Sequence, residues 1–146
     1  MTAQIVIPSA NVYWHKGKRV YLVQELMPSL LGGSVECGEP TTVEEKDFDS
    51  QISTLVLKAL TNYENRQYNP ECERRFQSDR KSLAFAKQHL VVNVAKIHKN
   101  RIRVAALQRR GSGHAGGVAG GETTLDVDSA QQELPRILRD AFAMAR

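Results

Sequence analysis

Four histidines are the residues of this chain best suited to moving protons near neutral pH, because the imidazole pKa lies close to it. Two imidazoles and a lysine around a phosphate would form a site of the ribonuclease type. Most of these histidines flank predicted turns or strand ends, and none belongs to a recognisable nucleophile or metal pattern. The sequence therefore favours solvated or capping histidines over a catalytic pair. They are His15, His89, His98 and His114.

A literal G-x-G-x-x-G motif runs from Gly111 to Gly116 and follows a predicted strand. In a dinucleotide-binding site a helix comes next, and its N-terminus holds the pyrophosphate. Here more glycine and another strand are predicted to follow, so that context is missing. We interpret residues 111–121 as an irregular segment, either a flexible hairpin loop or a loop that touches a partner. We expect no cofactor and no enzymatic hydrolysis of RNA, DNA or nucleotides.

The two cysteines, Cys37 and Cys72, stand far apart in the sequence, and neither has a companion at zinc-ligand spacing. The N-terminal MTAQIVIPSA lacks a basic segment followed by a long apolar one, so we expect no signal peptide and a cytoplasmic location. A cytoplasmic chain keeps its thiols reduced. We therefore expect two small, semi-buried residues and no metal site.

Charge is distributed unevenly along a chain whose net charge is +4. Residues 36–49 carry six acidic side chains and one lysine, whereas residues 66–110 carry twelve basic side chains and three acidic ones. The basic segment could neutralise phosphates of a nucleic acid. No helix-turn-helix, zinc finger or RNP-type strand accompanies it, and at 6% the aromatic residues are too sparse for a stacking platform. A solvated basic face, partly paired with acids, is favoured. Its candidate cations are Arg74, Arg75, Arg80, Lys81, Arg101, Arg103, Arg109 and Arg110.

These side chains must be positioned by a single folded domain over residues 1–146, because the length suits one core and 41% of the residues are apolar. No apolar run approaches the roughly 20 residues of a membrane span. The segment from His89 to Arg110 predicts a long central hairpin, with strands over 90–97 and 102–107. Val and Ile suit a pleated surface, and the second run alternates Ile102 and Val104 with arginines.

Weaker strand signals surround this hairpin. A first strand is predicted over Gln4 to Pro8, and a second hairpin over 11–14 and 19–26 with Gly17 in its turn. Residues 27–41 are predicted to form a loop, since they contain three glycines and two prolines. A last strand is predicted over Thr123 to Val127.

Three helices are predicted beside the sheet. Thr42 to Glu45 fits a capping box, and an apolar stripe then recurs at three and four residues until about 62–65. Asn69-Pro70 begins a short second helix, which Ser78-Asp79 restarts. Asp128-Ser129 caps the last helix, whose core we place at 132–145 so that Pro135 lies in its first turn. Together these elements predict an α+β fold, an antiparallel sheet with a central long hairpin and helices packed mainly on one face.

Three stretches resemble the CdiI family of immunity proteins from bacterial contact-dependent growth inhibition systems. They are NVYWHKGKRVYLV (11–23), STLVLKALTNYENRQYNPECERRFQSDRKSLAFAK (53–87) and GSGHAGG (111–117). The resemblance implies a cytoplasmic, non-enzymatic protein that binds the toxic C-terminal domain of a matching exoprotein. Such toxins are often nucleases, and immunity proteins neutralise them by covering the active site or a neighbouring surface.

A nuclease has a positive phosphate-binding groove, which the acidic segment of this chain would complement. We therefore expect the toxin-binding side chains among Glu36, Glu39, Glu44, Glu45, Asp47 and Asp49. The alternative function is a small nucleic-acid-binding regulatory module that uses the basic residues of 66–110. For nucleic acid we expect only weak, non-specific binding, and we expect no membrane partner. The residues carry no signal for an oligomeric state.

Overall fold

The computed structural model describes residues 7–30, 32–78, 87–110 and 113–146, with side chains for all of these except 75–78, 109–110 and 113–115. The strands of the described chain are β1 (Ser9–His15), β2 (Val20–Pro28), β3 (Ser34–Glu36), β4 (Thr41–Glu44), β5 (His89–His98), β6 (Arg101–Arg110) and β7 (Gly113–Asp126). Its helices are α1 (Phe48–Asn65), α2 (Pro70–Ser78) and α3 (Val127–Met144), and a 3-10 turn over Glu45–Asp47 leads into α1.

The strands form one antiparallel sheet in the order β3-β2-β1-β5-β6-β7, and β4 also pairs with β2. β5 and β6 form the predicted central hairpin, and β1 and β2 form the predicted second one. Since both β3 and β4 pair with β2 on the side away from β1, they lie end to end along one edge of the sheet. The predicted α+β fold is confirmed.

The core lies between one face of the sheet and the helices α1 and α3. On the sheet side it contains alternate residues of the central strands, all of them almost fully buried: Val12, Val23, Val92, Val94, Val104 and Ala106. On the helix side the predicted stripe of α1 supplies Phe48, Ile52, Val56, Ala59 and Leu60, and α3 supplies Leu134, Ile137 and Leu138. Each large apolar side chain buried in this way stabilises the fold by about 1.5–3 kcal/mol.

The predicted loop over 27–41 and the capping box at Thr42 are both wrong. β2 runs on to Pro28, β3 begins at Ser34, and Thr41–Glu44 is a strand paired with β2. The run Thr41-Thr42-Val43 is entirely β-branched, and Val43 is buried against the core, so strand pairing prevails over capping. Helix α1 begins six residues after Thr42, at Phe48, and ends at Asn65 within the predicted range.

The glycine-rich segment is a strand where the sequence predicted an irregular one. β7 pairs with β6 along the far edge of the sheet, and its register shifts twice. Gly116 and Gly120 have positive φ angles of 110° and 76°, the backbone geometry with which glycine allows a strand to bulge. Gly121 lies so close to Ala106 that an added Cβ would come within 3.0 Å of its methyl group.

Helix α3 is longer than predicted and contains Pro135 in its interior. It begins at Val127, directly after β7, because Ala130 and Leu134 already face the core. The expectation that Pro135 lies in the first turn is therefore wrong. The start of α2 at Pro70 is confirmed, and the Asn69 side chain accepts a hydrogen bond from the Glu71 amide, at 2.9 Å.

Two predicted elements lie partly or wholly outside the described residues. Of the strand predicted over residues 4–8, only Ile7 and Pro8 are described, and they precede β1 without strand structure. The helix restart at Ser78-Asp79 continues into residues that are not described. No helix in the described part of the chain has the length and apolarity to cross a membrane.

Cys37 and Cys72 form a disulfide bridge, so the expectation of two separate thiols is wrong. Their Cα atoms are 5.2 Å apart, within the span of about 4.4–6.8 Å that such bridges usually cover. Cys37 follows β3 and packs with Met27 and Val35 in a small second core, to which Cys72 of α2 is joined. The bridge thus ties α2 to the edge of the sheet.

Candidate functional site

The six predicted toxin-binding acids run from the β3–β4 edge of the sheet through the 3-10 turn into the start of α1, and we call them the acidic edge: Glu36, Glu39, Glu44, Glu45, Asp47 and Asp49. Glu36 pairs with Leu26 and Glu44 with Val20, so these two acids are separated by six residues of β2. That distance is about 20 Å, at about 3.3 Å per residue of strand. The structure therefore spreads the acids over an edge instead of gathering them into one cluster.

Most acids of this edge already contact a cation or a donor of the chain. Glu45 pairs with Arg19 at 2.9 Å, Glu44 lies 3.6 Å from Lys46, and Asp49 forms an ion pair with Arg139. Glu36 accepts a hydrogen bond from the Tyr13 hydroxyl. Among the described residues, only Glu39 and Asp47 of this set have no ion pair or side-chain hydrogen bond. The neighbouring cations thus reduce the negative charge that the sequence predicted for this segment.

The contact between Tyr13 and Glu36 begins a chain of polar side chains across the sheet, on the face opposite α1 and α3. The Tyr13 hydroxyl donates to Glu36 Oε1 at 2.5 Å and accepts from Asn11 Nδ2 at 3.2 Å. Asn93 Nδ2 donates to Asn11 Oδ1 at 2.9 Å. Sequence reasoning missed this chain, although two asparagines within apolar strands were a signal for it.

The environment of Tyr13 keeps its hydroxyl protonated. Burial is the main reason that the pKa of the Tyr13 phenol is raised well above its usual value of 10.0, and the nearby charge of Glu36 raises it further. The phenol is therefore neutral at physiological pH and can act as the donor to Glu36. This hydrogen bond fixes Glu36 to β1, so this acid is held by the fold and is less available to a partner than the exposed Glu39.

Two of the four histidines come together, which the sequence did not predict. The rings of His15 and His89 meet edge to face with centroids 4.6 Å apart. His15 Nδ1 accepts a hydrogen bond from the Lys18 amide at 2.9 Å, and His89 is only 3% exposed. A substrate therefore cannot reach both imidazoles, and the arrangement supports packing at the end of β1 and β5. No group of three metal-ligating side chains occurs among the described residues.

The basic residues of 66–110 do not form one face in the described part of the chain. Four of them pair with acids: Arg66 with Glu25 (3.1 Å), Arg74 with Glu71 (2.8 Å), Lys96 with Glu64 (2.9 Å) and Arg101 with Asp126 (2.6 Å). Lys96 reaches α1, whereas Arg101 reaches β7, so these two cations serve different parts of the fold. Arg80 and Lys81 lie outside the described residues, as do the side chains of Arg75, Arg109 and Arg110.

Comparison with known proteins adds a likeness in fold. No family model and no curated protein sequence matches this chain significantly. The protein of unknown function NMB0488 from Neisseria meningitidis has a TM-score of 0.73 at 16% identity, over 100% of this chain and 99% of its own. A chain of the CdiA-CT/CdiI toxin and immunity complex from Yersinia pseudotuberculosis has a TM-score of 0.70 at 15% identity, over 97% and 99%. The fold recurs in a toxin and immunity complex.

Proposed function

We propose that this protein is an immunity protein of the CdiI type that acts in the cytoplasm, where the reducing conditions would hold the Cys37–Cys72 pair in its dithiol form. It binds and neutralises the toxic C-terminal domain, expected to be a nuclease, of a cognate contact-dependent growth inhibition exoprotein. The observation that carries the proposal is the match, over nearly the whole of both chains, to a chain of the CdiA-CT/CdiI complex. The resemblance of three sequence stretches to the CdiI family supports the same role.

The geometry of the described residues favours a binding role over an enzymatic one. Catalysis by histidine requires imidazoles that can reach a substrate, and one member of the only described histidine pair is buried. A nucleic-acid-binding role gains no support either. Of the seven basic side chains described in residues 66–110, four form ion pairs, and their acidic partners lie on different elements. The chain instead offers a rigid sheet with charged edges, which suits recognition of another protein.

Co-expression with the toxin tests this function directly. The toxic C-terminal domain encoded by the neighbouring exoprotein gene should stop growth when it is produced alone. Production of this protein in the same cells should restore growth, and the two purified proteins should elute together in size-exclusion chromatography. Growth arrest that persists despite soluble, folded protein would contradict the proposal.

We further propose that the acidic edge steers the toxin toward its binding site. The six acids Glu36, Glu39, Glu44, Glu45, Asp47 and Asp49 follow one another from β3 to the start of α1, and opposite charge across an interface acts chiefly on the association rate. Glu36 and Asp49 are held by Tyr13 and Arg139, so their replacement would also disturb the fold. Glu39 and Glu44 are exposed and offer a cleaner test.

The double change Glu39→Lys and Glu44→Lys should slow toxin association roughly tenfold at low salt, with a smaller effect as salt screens the charges. The exposed pair of Glu44 and Lys46 contributes little to stability, so the fold should persist. The matched control is Glu133→Lys with Asp140→Lys, which makes the same charge change on α3, where both acids form only exposed pairs with Arg136. Stopped-flow kinetics decides, and equal slowing by the control would assign the effect to net charge alone.

A further inference from the structure

A polar cleft lies beside the loop that joins β2 to β3. Its volume is about 260 Å³, and we call it the Arg103 cleft. Among its lining residues are Ser9 of β1, Ser34 of β3, Tyr63 of α1, Asn93 of β5 and Arg103 of β6. With Pro28 of β2, six elements contribute to one small concavity.

Arg103 lies in this cleft without a counter-charge. Its strand neighbours are Ala95 on β5 and Thr124 on β7, and Ala95 in turn pairs with Ser9. These two side chains are short, and the nearest acid on β7, Glu122, lies opposite Ala105 and forms no ion pair with Arg103. Among the described residues Arg103 has no ion pair, and its Nε is buried without a hydrogen-bond acceptor. Burying an unpaired cationic donor is unfavourable, which gives an incoming acceptor a reason to bind here.

Arg101 lies on the same strand and the same face as Arg103, but it is paired within the fold. Its Nη1 donates to Asp126 Oδ1 at 2.6 Å, and its Nη2 donates to Thr124 Oγ1 at 2.8 Å. β7 thus satisfies Arg101 and leaves Arg103, two residues further along, unsatisfied. The difference between these two arginines is specific to the site and is not a general property of the basic segment.

Hydroxyl groups line the wall of the cleft that faces Arg103. Ser34 Oγ lies 2.8 Å from Tyr63 Oη and 3.5 Å from Ser9 Oγ, so these hydroxyls form one hydrogen-bonded row. Each can rotate to donate to an anion that Arg103 holds. Asn93 uses its amide group on Asn11 and on the Ala10 carbonyl, which fixes this side of the cleft.

The surroundings favour a single carboxylate over a phosphate backbone. The Glu73 carboxylate lies directly behind the rim, where it accepts hydrogen bonds from Ser29 Oγ at 2.8 Å and from the Leu30 amide at 2.9 Å. Arg103 is the one cation among the described lining residues, so the cleft matches a single negative charge better than a polyanion. Ile7, which lines the cleft, is 42% exposed, and such an apolar side chain suits contact with a protein surface.

We propose that the Arg103 cleft binds one aspartate or glutamate side chain of the protein partner. The guanidinium forms a two-pronged ion pair with this carboxylate, and the serine hydroxyls donate to its oxygens. Where the partner is the toxin, the inference rests on the proposed function. It then adds to the complex a contact with a cation, Arg103, whereas the acidic edge supplies negative charge.

The main test measures the affinity of the cognate toxin domain for matched arginine variants. Arg103→Gln should weaken binding at least about thirtyfold, mainly through faster dissociation, because it leaves a buried partner carboxylate unpaired. Arg101→Gln, the control, should change affinity less than about threefold, since its pairs are exposed. Arg103→Lys keeps the positive charge but loses the two-pronged geometry of the guanidinium, so the loss of affinity should be intermediate. This variant also tests the inference if Arg103→Gln fails to fold. Wild-type affinity in both Arg103 variants would overturn the inference and leave the immunity function standing.

A second measurement, on the free protein, tests anion binding by the cleft independently of the proposed immunity function. In a spectrum of ¹⁵N-labelled arginine side chains, acetate should shift the Arg103 Nε–H resonance saturably and leave that of Arg101 in place. This response supports the cleft even if no toxin binds, in which case the proposed function alone fails. An unshifted Arg103 resonance, or tighter binding of inorganic phosphate or an oligonucleotide than of acetate, would overturn the carboxylate assignment.

Discussion

Replacing Cys37 and Cys72 with serine should lower the free energy of unfolding of the oxidised protein by about 3–4 kcal/mol. The two residues are separated by 35 positions, and a bridge that closes a loop of this size removes that much chain entropy from the unfolded state. The melting temperature should fall by roughly 10 °C or more. Urea unfolding followed by far-UV circular dichroism measures the change.

Reduction of the wild-type protein supplies the control for this prediction. With dithiothreitol present, the wild-type and Cys37→Ser, Cys72→Ser proteins should unfold at nearly the same urea concentration. A difference that persists under reduction would come from packing of the sulfur atoms in the small core with Met27 and Val35. No effect of dithiothreitol on the wild type would show that the bridge does not form in solution, as the sequence alone suggested.

The bridge also shows why the sequence misjudged these cysteines. Spacing along a chain detects zinc ligands close in sequence, but a disulfide requires two Cα atoms close in space. Cys37 reaches Cys72 only because β3 pairs with the end of β2 and α2 then packs against β3. β3 itself was missed, since it has three residues and lies between glycines that indicate a loop. One unrecognised edge strand therefore concealed a covalent link.

The central elements were predictable because their signals are local and repeated. Alternating apolar residues identified β5 and β6, and the spacing of Ile52, Val56 and Leu60 identified α1. At the edges of the sheet the local sequence signals disagree with the observed structure. Glycines of β7 are unfavourable for a strand, yet Gly121 is needed because Ala106 leaves no room for a Cβ. Strand pairing with β6 thus prevails over local propensity.

The candidate site was predicted in part and for the same reason. The sequence placed six acids on one short segment, but it could not show that Arg19 and Arg139 pair with Glu45 and Asp49. Arg103 was one of eight candidate cations, indistinguishable in sequence from Arg101. Their difference depends on which residues of β7 stand opposite them, Asp126 and Thr124, and no local pattern in the sequence encodes this pairing.

Phe48→Ala should lower the free energy of unfolding by about 3–5 kcal/mol, the usual loss when a fully buried aromatic side chain is truncated. Phe48 is the first residue of α1 and is 0% exposed. Its ring packs against Tyr21 of β2 at 4.3 Å between centroids, and the guanidinium of Arg139 lies 4.7 Å above it. The side chain therefore joins the start of α1 to both the sheet and α3, which explains why the helix begins here and not at Thr42.

The control for Phe48 separates its volume from its aromatic contacts. Phe48→Leu keeps an apolar side chain in the core, so it should lower the free energy of unfolding by only about 1–1.5 kcal/mol, through the lost ring contacts and imperfect packing. Urea unfolding at one pH and salt concentration measures both variants. An alanine variant that loses less than about 1 kcal/mol would show that the core collapses around the gap. The start of α1 would then depend on the 3-10 turn Glu45–Asp47 and not on the packing of Phe48.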